Sequence, residues 1–243
     1  MNTAIVLAAG KGLRMNAGMN KQYMKLLDKP VLAHTLEVFQ KSGYIDRIIL
    51  VISQEDMETC DREILSRYDF GKIAKVVYGG SERQGSVYNA LAGLEEDEQG
   101  IVLIHDGARP LLDEEIIVKC VEGAKECGAV TAGVRVKETI KVVDSEGFII
   151  QTPDRAKVWI TQTPQAFKLS IIKNAHLSAL NAGFVGTDDA MLVERMGGRV
   201  KMIEGSYENI KLTTPEDMAT AEAIIAKKHK FLYMLQDVDK EGK

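Results

Sequence analysis

The sequence predicts an α/β fold: a Rossmann-like, mostly parallel sheet with helices on both faces and an inserted β-arm. Apolar, strand-like runs alternate with helix-like segments along most of the chain, which is the pattern of βαβ units. Three of those runs end in loops of small or polar residues, the place where open α/β sheets bind ligands. Between about 134 and 161 the alternation gives way to short β-like pieces, which predict the arm.

Length and composition are typical of one globular domain covering residues 1–243. The chain is 45% hydrophobic and 27% charged, and its net charge of −4 argues against nucleic acid as a partner. No apolar run approaches the ~18 residues that a membrane span needs, and no signal peptide precedes the first strand. The three cysteines are interpreted as buried or semi-buried thiols. We therefore expect a cytoplasmic protein with no membrane partner.

The first predicted strand, Ala4–Leu7, leads into a loop of small residues, Ala8–Gly12. Residues without bulky side chains let backbone N–H groups approach an anion, and the basic residues Arg14 and Lys21 follow closely. The loop therefore predicts a phosphate site. A tight turn with two solvated cations explains the loop equally well when it is taken alone.

Two familiar glycine motifs do not fit this loop. The dinucleotide motif G-x-G-x-x-G requires glycine where the chain has Met15, and the Walker motif requires Gly-Lys-Ser/Thr where it has Gly12-Leu13-Arg14. The sequence therefore disfavours both a dehydrogenase and a P-loop ATPase.

The remaining elements are identified by the spacing of their apolar residues. Helices are predicted at 31–41, 55–68, 84–94 and 113–127, from 169 onward, from an opening at 187–190, and from 214 onward. Strands are predicted at 48–52, 76–78, 101–104 and 199–203. Asp113 and Thr187 are expected to cap their helices, and Pro215 to occupy a first helical position.

Two further strand ends supply candidate site residues. Gly80-Ser81 and Ser86 offer backbone and hydroxyl groups suited to the edge of a base, and Asp106 stands where a Mg²⁺ shared with substrate phosphates would bind. An N-cap or an ion pair with Arg109 is the alternative for Asp106. His105 is expected to be packed and not to act as a general base. Since the carboxyl ends of parallel strands share one edge, these loops should converge with the first loop.

The predicted β-arm, Val134–Thr161, contains a hairpin turn at Asp144–Gly147. A hairpin of this size has little core of its own and needs a surface to pack on. We expect that surface to be a second copy of the chain, which would make the protein a homodimer. Arg155 in the arm and Lys211 later in the chain are, by spacing alone, ordinary surface cations.

Eight segments carry a resemblance that covers the chain from end to end. They are Leu7–Met15, Lys21–Tyr23, Gly80–Arg83, His105–Pro110, Glu138–Lys141, Gln162–Phe167, Thr187–Ala190 and Asn209–Thr213. In this order they resemble the 2-C-methyl-D-erythritol 4-phosphate cytidylyltransferases of the non-mevalonate isoprenoid pathway, which have a fold of the nucleotide-diphospho-sugar transferase type. The chain departs from that family at Asn20, Ser81 and Gly107, where proline, aspartate and alanine are common.

The resemblance implies transfer of CMP from CTP to 2-C-methyl-D-erythritol 4-phosphate by a Mg²⁺-dependent homodimer. It implies cytidine binding by Ala8, Ala9, Gly10, Gly80, Ser81 and Ser86. It implies catalytic roles for Arg14, Lys21 and Lys211, the first two on the triphosphate, with Mg²⁺ near Asp106. It implies a pocket for the second substrate formed by Asp106, Arg109, Thr139, Thr163, Thr187 and Lys211, with Arg155 supplied by the second subunit.

Two other functions remain open at this stage. Ribitol 5-phosphate cytidylyltransferases resemble the chain over most of its length, but they tend to differ at the strand-end motif Asp106–Pro110. A non-catalytic nucleotide-binding module is permitted by the fold. Such a module need not retain Arg14, Lys21, Asp106 and Lys211 together.

Overall fold

A seven-stranded sheet forms the centre of the protein, of which the computed structural model describes residues 1–10, 20–95 and 100–241. The strands are β1 (Thr3–Ala8), β2 (Lys25–Leu26), β3 (Lys29–Pro30), β4 (Arg47–Ile52), β5 (Ile73–Tyr78), β6 (Ile101–Asp106), β7 (Ala129–Arg135), β8 (Val142–Val143), β9 (Ile149–Gln151), β10 (Trp159–Lys168) and β11 (Lys201–Glu204). The helices are α1 (Val31–Lys41), α2 (Met57–Cys60), α3 (Arg83–Leu91), α4 (Glu114–Cys127), α5 (Leu169–Asn181), α6 (Asp189–Arg195) and α7 (Pro215–Glu241). No helix in the described ranges is long and apolar enough to cross a membrane.

The strand order of the central sheet is β11-β7-β10-β6-β1-β4-β5. Four neighbouring pairs are parallel, namely β1 with β4, β1 with β6, β4 with β5, and β7 with β11. Only β10 runs antiparallel to its neighbours β6 and β7 within this sheet. The predicted mostly parallel α/β sheet is therefore confirmed.

Helices cover both faces of the sheet, and β1 lies between the two layers. Ala4 and Val6 pack in one apolar cluster together with side chains of α1 and α4. Ile5 packs in the opposite cluster, with side chains of α3, α5 and α6. Since successive strand residues point to opposite faces, burial on both sides requires the unbroken apolar run that the sequence contains.

The structure corrects two of the predicted helices. The helix expected at 55–68 is divided into a 3₁₀ turn at Gln54–Asp56, the short α2 and a π-helical turn at Asp61–Leu65. Asp113 occupies the N-cap position of α4, but its carboxylate accepts a hydrogen bond from Lys228 Nζ at 2.8 Å and makes none to the helix backbone.

Helix α6, Asp189–Arg195, is capped by Asp188, and the expectation of Thr187 as its cap was wrong. Asp188 Oδ1 accepts from the backbone N–H of Met191 at 2.9 Å. The hydroxyl of Thr187 is exposed and lies 3.6 Å from the sulfur of Met191.

The cysteines differ in exposure. Cys60 and Cys120 are buried, and burial raises the pKa of the Cys60 thiol to about 11 and that of the Cys120 thiol to about 12. Cys127 is exposed, because it is the last residue of α4 and faces solvent. The expectation of three buried or semi-buried thiols is therefore wrong at this position.

The arm contains the expected hairpin, in which β8 and β9 pair antiparallel. The carboxylate of Asp144 closes the turn by accepting from the backbone N–H groups of Glu146 and Phe148 at 3.0 and 2.9 Å. Phe148, Ile149 and Ile150 are 60–67% exposed. The hairpin thus has an apolar surface without cover from its own chain, and contact with a second subunit stays a prediction.

Candidate active site

A cleft of about 780 Å³ opens at the carboxyl ends of β1, β4, β5 and β6. Nine of the residues predicted for the site line it: Ala8, Ala9, Gly10, Lys21, Gly80, Ser81, Ser86, Asp106 and Lys211. The expected convergence of the strand-end loops on one crevice is therefore confirmed. Arg14 lies outside the described residues.

Close packing of small residues shapes the floor of the cleft. A Cβ at Gly79 would lie 2.4 Å from Cβ of Ala9 and 2.8 Å from Oγ of Ser86, so this turn requires glycine. The Ser86 hydroxyl accepts from the backbone N–H of Gly80 at 3.1 Å and donates to Glu82 O at 3.0 Å. Ser86 therefore holds the loop in shape, and one oxygen lone pair stays available to a ligand.

Lys21 stands in a short 3₁₀ turn, Lys21–Tyr23, at the rim of the cleft. The side-chain amide of Gln22 donates to the backbone carbonyls of Ala8 and Gly10. The turn that carries the lysine is thereby tied to the loop after β1.

Asp106, the last residue of β6, is surrounded by cations. Lys211 Nζ lies 2.8 Å and Arg109 Nε 3.5 Å from its Oδ2, and Arg83 Nε lies 3.7 Å from its Oδ1. Burial alone would raise the pKa of this carboxyl, but Lys211 and Arg83 outweigh it and hold the pKa well below the usual range. Asp106 is therefore ionised at neutral pH, and it stands among three cationic groups in a partly buried place.

A second set of hydrogen bonds supports Asp106 from behind. Thr163 Oγ1 accepts from the backbone N–H of Asp106 at 3.0 Å and lies 3.1 Å from Nδ1 of His105. The other ring nitrogen of His105 lies 3.1 Å from Arg109 O, and Arg109 donates to Asn209 O at 2.8 Å. Burial lowers the pKa of His105 to about 4. His105 is thus a packed, neutral residue, as predicted.

Five predicted site residues that the structure describes do not line this cleft. Thr139 and Arg155 are exposed in the arm, where Arg155 donates to the carbonyl of Lys137 at 3.2 Å. Thr187 is exposed at the start of α6. Thr163 and Arg109 contact or support Asp106 but stand behind the cleft lining. The roles of all five stay predictions.

Comparison with known proteins identifies the family. The model of the family described as IspD, 2-C-methyl-D-erythritol 4-phosphate cytidylyltransferase, matches residues 2–227. The chain belongs to this family. Membership makes it a nucleotidyltransferase that transfers a cytidylyl group, as the resemblance implied, and does not favour the ribitol phosphate alternative.

Individual cytidylyltransferases of this family are similar over nearly their whole length. The protein of Syntrophotalea carbinolica is 50% identical over 221 residues, which cover 91% of this chain and 94% of that protein. The protein of Geobacillus kaustophilus is 51% identical, with 92% and 96% covered. The crystal structure of 4-diphosphocytidyl-2C-methyl-D-erythritol synthase from Anaerococcus prevotii superposes with a TM-score of 0.82 at 36% identity, covering 93% of this chain and 96% of that one.

Sequence reasoning missed a buried ion network of this cytidylyltransferase behind the cleft. Arg83 Nη1 lies 2.6 Å from Oδ2 of Asp189, and Nε2 of His176 lies 2.9 Å from Oδ1. Asp189 and His176 are each 1% exposed. Arg83 also contacts Asp106 and lines the cleft, so it joins the buried network to the site. Both Arg83 and Asp189 fall in segments that carry the family resemblance, which was the available signal.

Proposed function

We propose that the protein transfers CMP from CTP to 2-C-methyl-D-erythritol 4-phosphate and releases pyrophosphate. The observation that carries the proposal is the charge arrangement at the end of β6. Lys211, Arg109 and Arg83 surround the single carboxylate of Asp106, beside a floor of small residues. Such a cleft offers a base-sized surface and, beside it, cationic groups for phosphates within one ligand-sized volume.

The small-residue floor is the proposed cytidine site. A Cβ built at Gly10 would meet no heavy atom of the described residues within 4 Å, which favours close approach of a ligand to the backbone there. Gly80-Ser81 also lines the cleft, and its backbone groups can bind the polar edge of cytosine. Ser81 replaces the aspartate common in the family, and a backbone contact would be unaffected by that change.

The chemistry requires no general base. A phosphate monoester is largely a dianion at neutral pH because its second pKa is ~6. One of its oxygens attacks the α-phosphorus of CTP, a new O–P bond forms, the bond to the bridging oxygen breaks, and pyrophosphate leaves with the electron pair. No proton has to move. This fits His105, which is buried and neutral with a pKa of about 4.

The protein must instead bring two polyanions together and stabilise charge on the α-phosphoryl oxygens. We assign Lys21 and Arg14 to the triphosphate and Lys211 to the attacking phosphate. Lys211 is fixed by its ion pair with Asp106, with 2.8 Å between Nζ and Oδ2. The pair aims the ammonium group and leaves its other protons for substrate oxygens.

We propose Mg²⁺ as the metal, with Asp106 as its protein ligand. Among the ion pairs of the described residues, the cationic atom nearest to Oδ1 is Arg83 Nε at 3.7 Å, beyond the usual hydrogen-bond range, so Oδ1 can still accept a metal. No group of three or more His, Cys, Asp or Glu side chains in the described ranges could hold an ion unaided. The remaining ligands would be substrate phosphates and water, which is the usual arrangement for Mg²⁺. When bound, the metal would neutralise triphosphate charge.

We further propose a homodimer whose arm completes the pocket for the second substrate. Thr139 and Arg155 do not line the cleft of their own subunit, and a second copy would supply them to it. Thr187 would face the same substrate from α6. The free thiols are compatible with a reducing compartment, and we propose a cytoplasmic enzyme.

The dimer proposal predicts the effect of a charge in the arm. Ile150→Asp should raise the dimer dissociation constant by about 100-fold, because a buried isoleucine contact is lost and a carboxylate is desolvated. Light scattering after gel filtration over a dilution series measures the shift. Leu177→Asp is the matched control, since Leu177 is 49% exposed on α5. A wild-type monomer, or an unchanged dimer in Ile150→Asp, would contradict the proposal.

The test of the function is pyrophosphate release from CTP with Mg²⁺, comparing 2-C-methyl-D-erythritol 4-phosphate with ribitol 5-phosphate. We expect turnover with the first compound and loss of turnover on chelation of the metal. Preference for ribitol 5-phosphate would retain the chemistry but refute the substrate. Equilibrium CTP binding without pyrophosphate release would refute the catalytic assignment.

A further inference from the structure

Asn20 precedes Lys21 and is bound to a carboxylate on a neighbouring strand end. Its side-chain Nδ2 donates to Oδ1 and Oδ2 of Asp56 at 2.7 and 2.6 Å. Asp56 is 9% exposed and is the last residue of the 3₁₀ turn after β4. The backbone N–H of Asp56 donates to the hydroxyl of Ser53, which caps this turn. The bond therefore joins the segment that carries Lys21 to the carboxyl end of β4, 36 residues away in sequence.

The backbone of Lys21 is thus held from two sides. Gln22 ties the turn to the carbonyls of Ala8 and Gly10 after β1, and Asn20 ties it to the turn after β4. Within the turn, Tyr23 N donates to Asn20 O at 3.0 Å. Lys21 therefore stands between two strand ends that both line the cleft.

The bond to Asp56 is of the strong kind. A hydrogen bond to a charged partner is roughly twice as strong as one between neutral groups. Both carboxylate oxygens accept from one amide nitrogen. The two bonds keep Asn20 near β4 and also restrict its position there. A cation that must meet a phosphate in a developing transition state gains most from such restriction, because a displacement of ~1 Å can cost about 10²-fold in rate.

We propose that Asn20 and Asp56 are positioning residues for the transfer reaction: their bond fixes the backbone of Lys21 so that its ammonium group meets the triphosphate. The proposal rests on the role given to Lys21 in the proposed function. Asn20 and Asp56 act through Lys21 and need not touch either substrate.

The backbone angles of Asn20 provide a discriminating variant. Its φ of −62° and ψ of 132° are those that proline adopts without strain, since the pyrrolidine ring holds φ near −65°. Asn20→Pro would keep the backbone of this residue restricted without any amide. Asn20→Ala would remove both the amide and the restriction. Both variants leave the carboxylate of Asp56 without its amide partner, so any general loss of stability from that carboxylate is shared.

The experiment measures kcat and KM for each substrate, together with CTP affinity by equilibrium titration. Asn20→Ala should lower kcat/KM for CTP about tenfold, and Asn20→Pro, assayed well below its unfolding midpoint, should recover most of that loss. Asp56→Ala should match Asn20→Ala. Asn2→Ala is the matched control, because this asparagine also loses one amide hydrogen bond, to Tyr44 O, at the amino end of β1 and therefore at the opposite end of the strand from the cleft.

The combination with Lys21→Ala tests the route of the effect. If Asn20 acts through the lysine, adding Asn20→Ala to Lys21→Ala should cause little further loss, because the group being positioned is gone. Full additivity of the two losses in kcat/KM would overturn the positioning proposal, and so would an Asn20→Pro variant as impaired as Asn20→Ala. In either case, turnover by the wild-type protein would leave the proposed function intact. Absence of turnover in the wild-type protein would instead refute the proposed function. CTP affinity that falls in Asn20→Ala and is restored in Asn20→Pro would then still support the positioning of Lys21, and equal affinity of the two variants would overturn it.

Discussion

Lys21→Ala is expected to lower turnover at saturating CTP by about 10²–10³, the usual cost of removing one electrostatic donor from a closed site. Lys21 lies at the rim of the cleft, in a turn held by Gln22. The ammonium group would neutralise charge that develops on the phosphates as the α-phosphorus is attacked. Loss of an interaction made mainly in the transition state lowers kcat, so raising the CTP concentration should not restore the rate.

Lys25→Ala is the matched control for this variant. Lys25 is exposed in β2, four positions along the chain, and is not among the residues that line the cleft. The Lys25→Ala substitution removes the same charge and the same side-chain length as Lys21→Ala. An effect of net charge alone would therefore be equal in the two variants. Near-native turnover of Lys21→Ala at saturating CTP would show that the catalytic role given to the lysine is wrong.

The sheet could be predicted because parallel strands that are covered on both faces consist of unbroken apolar residues. Ile48–Ile52 is such a run, and its five residues are at most 2% exposed in β4. The same rule ended the predicted strand β6 too early, at residue 104, because the apolar run ends there. His105 and Asp106 are polar, yet they continue the strand and are 0% and 8% exposed. Their burial depends on Thr163 and Lys211, which are remote in sequence.

The strand-end residues of the site could be predicted because topology alone brings those ends to one edge of the sheet. The ion pair of Arg83 with Asp189 could not, since 106 positions separate the two residues and no local pattern encodes their meeting. Local preference also failed at the start of α6, where Thr187 and Asp188 are both good caps. Gln165 decides between them, because its side chain donates to Asp188 Oδ2 at 2.8 Å.

Asp189→Ala is expected to lower the free energy of unfolding by about 3–5 kcal/mol, which is the usual effect of removing one partner from a buried ion pair. The variant leaves the guanidinium of Arg83 and the ring of His176 without the carboxylate that both contact. Burial alone would raise the pKa of Asp189, but Arg83 and His176 hold it below the ordinary range. The wild-type carboxylate is therefore charged at neutral pH, and its partners are paired only while it is present.

Chemical denaturation at neutral pH measures this change, with Glu194→Ala as the control because Glu194 is an exposed acid on the same helix. The control should stay within about 0.5 kcal/mol of the wild-type protein. Turnover of Asp189→Ala, assayed well below its unfolding midpoint, should also fall, since Arg83 joins Asp189 to the carboxylate of Asp106. A stable variant would mean that the buried charges relax into other contacts. A destabilised variant with full turnover would mean that Asp106 and Lys211 hold their positions without Arg83.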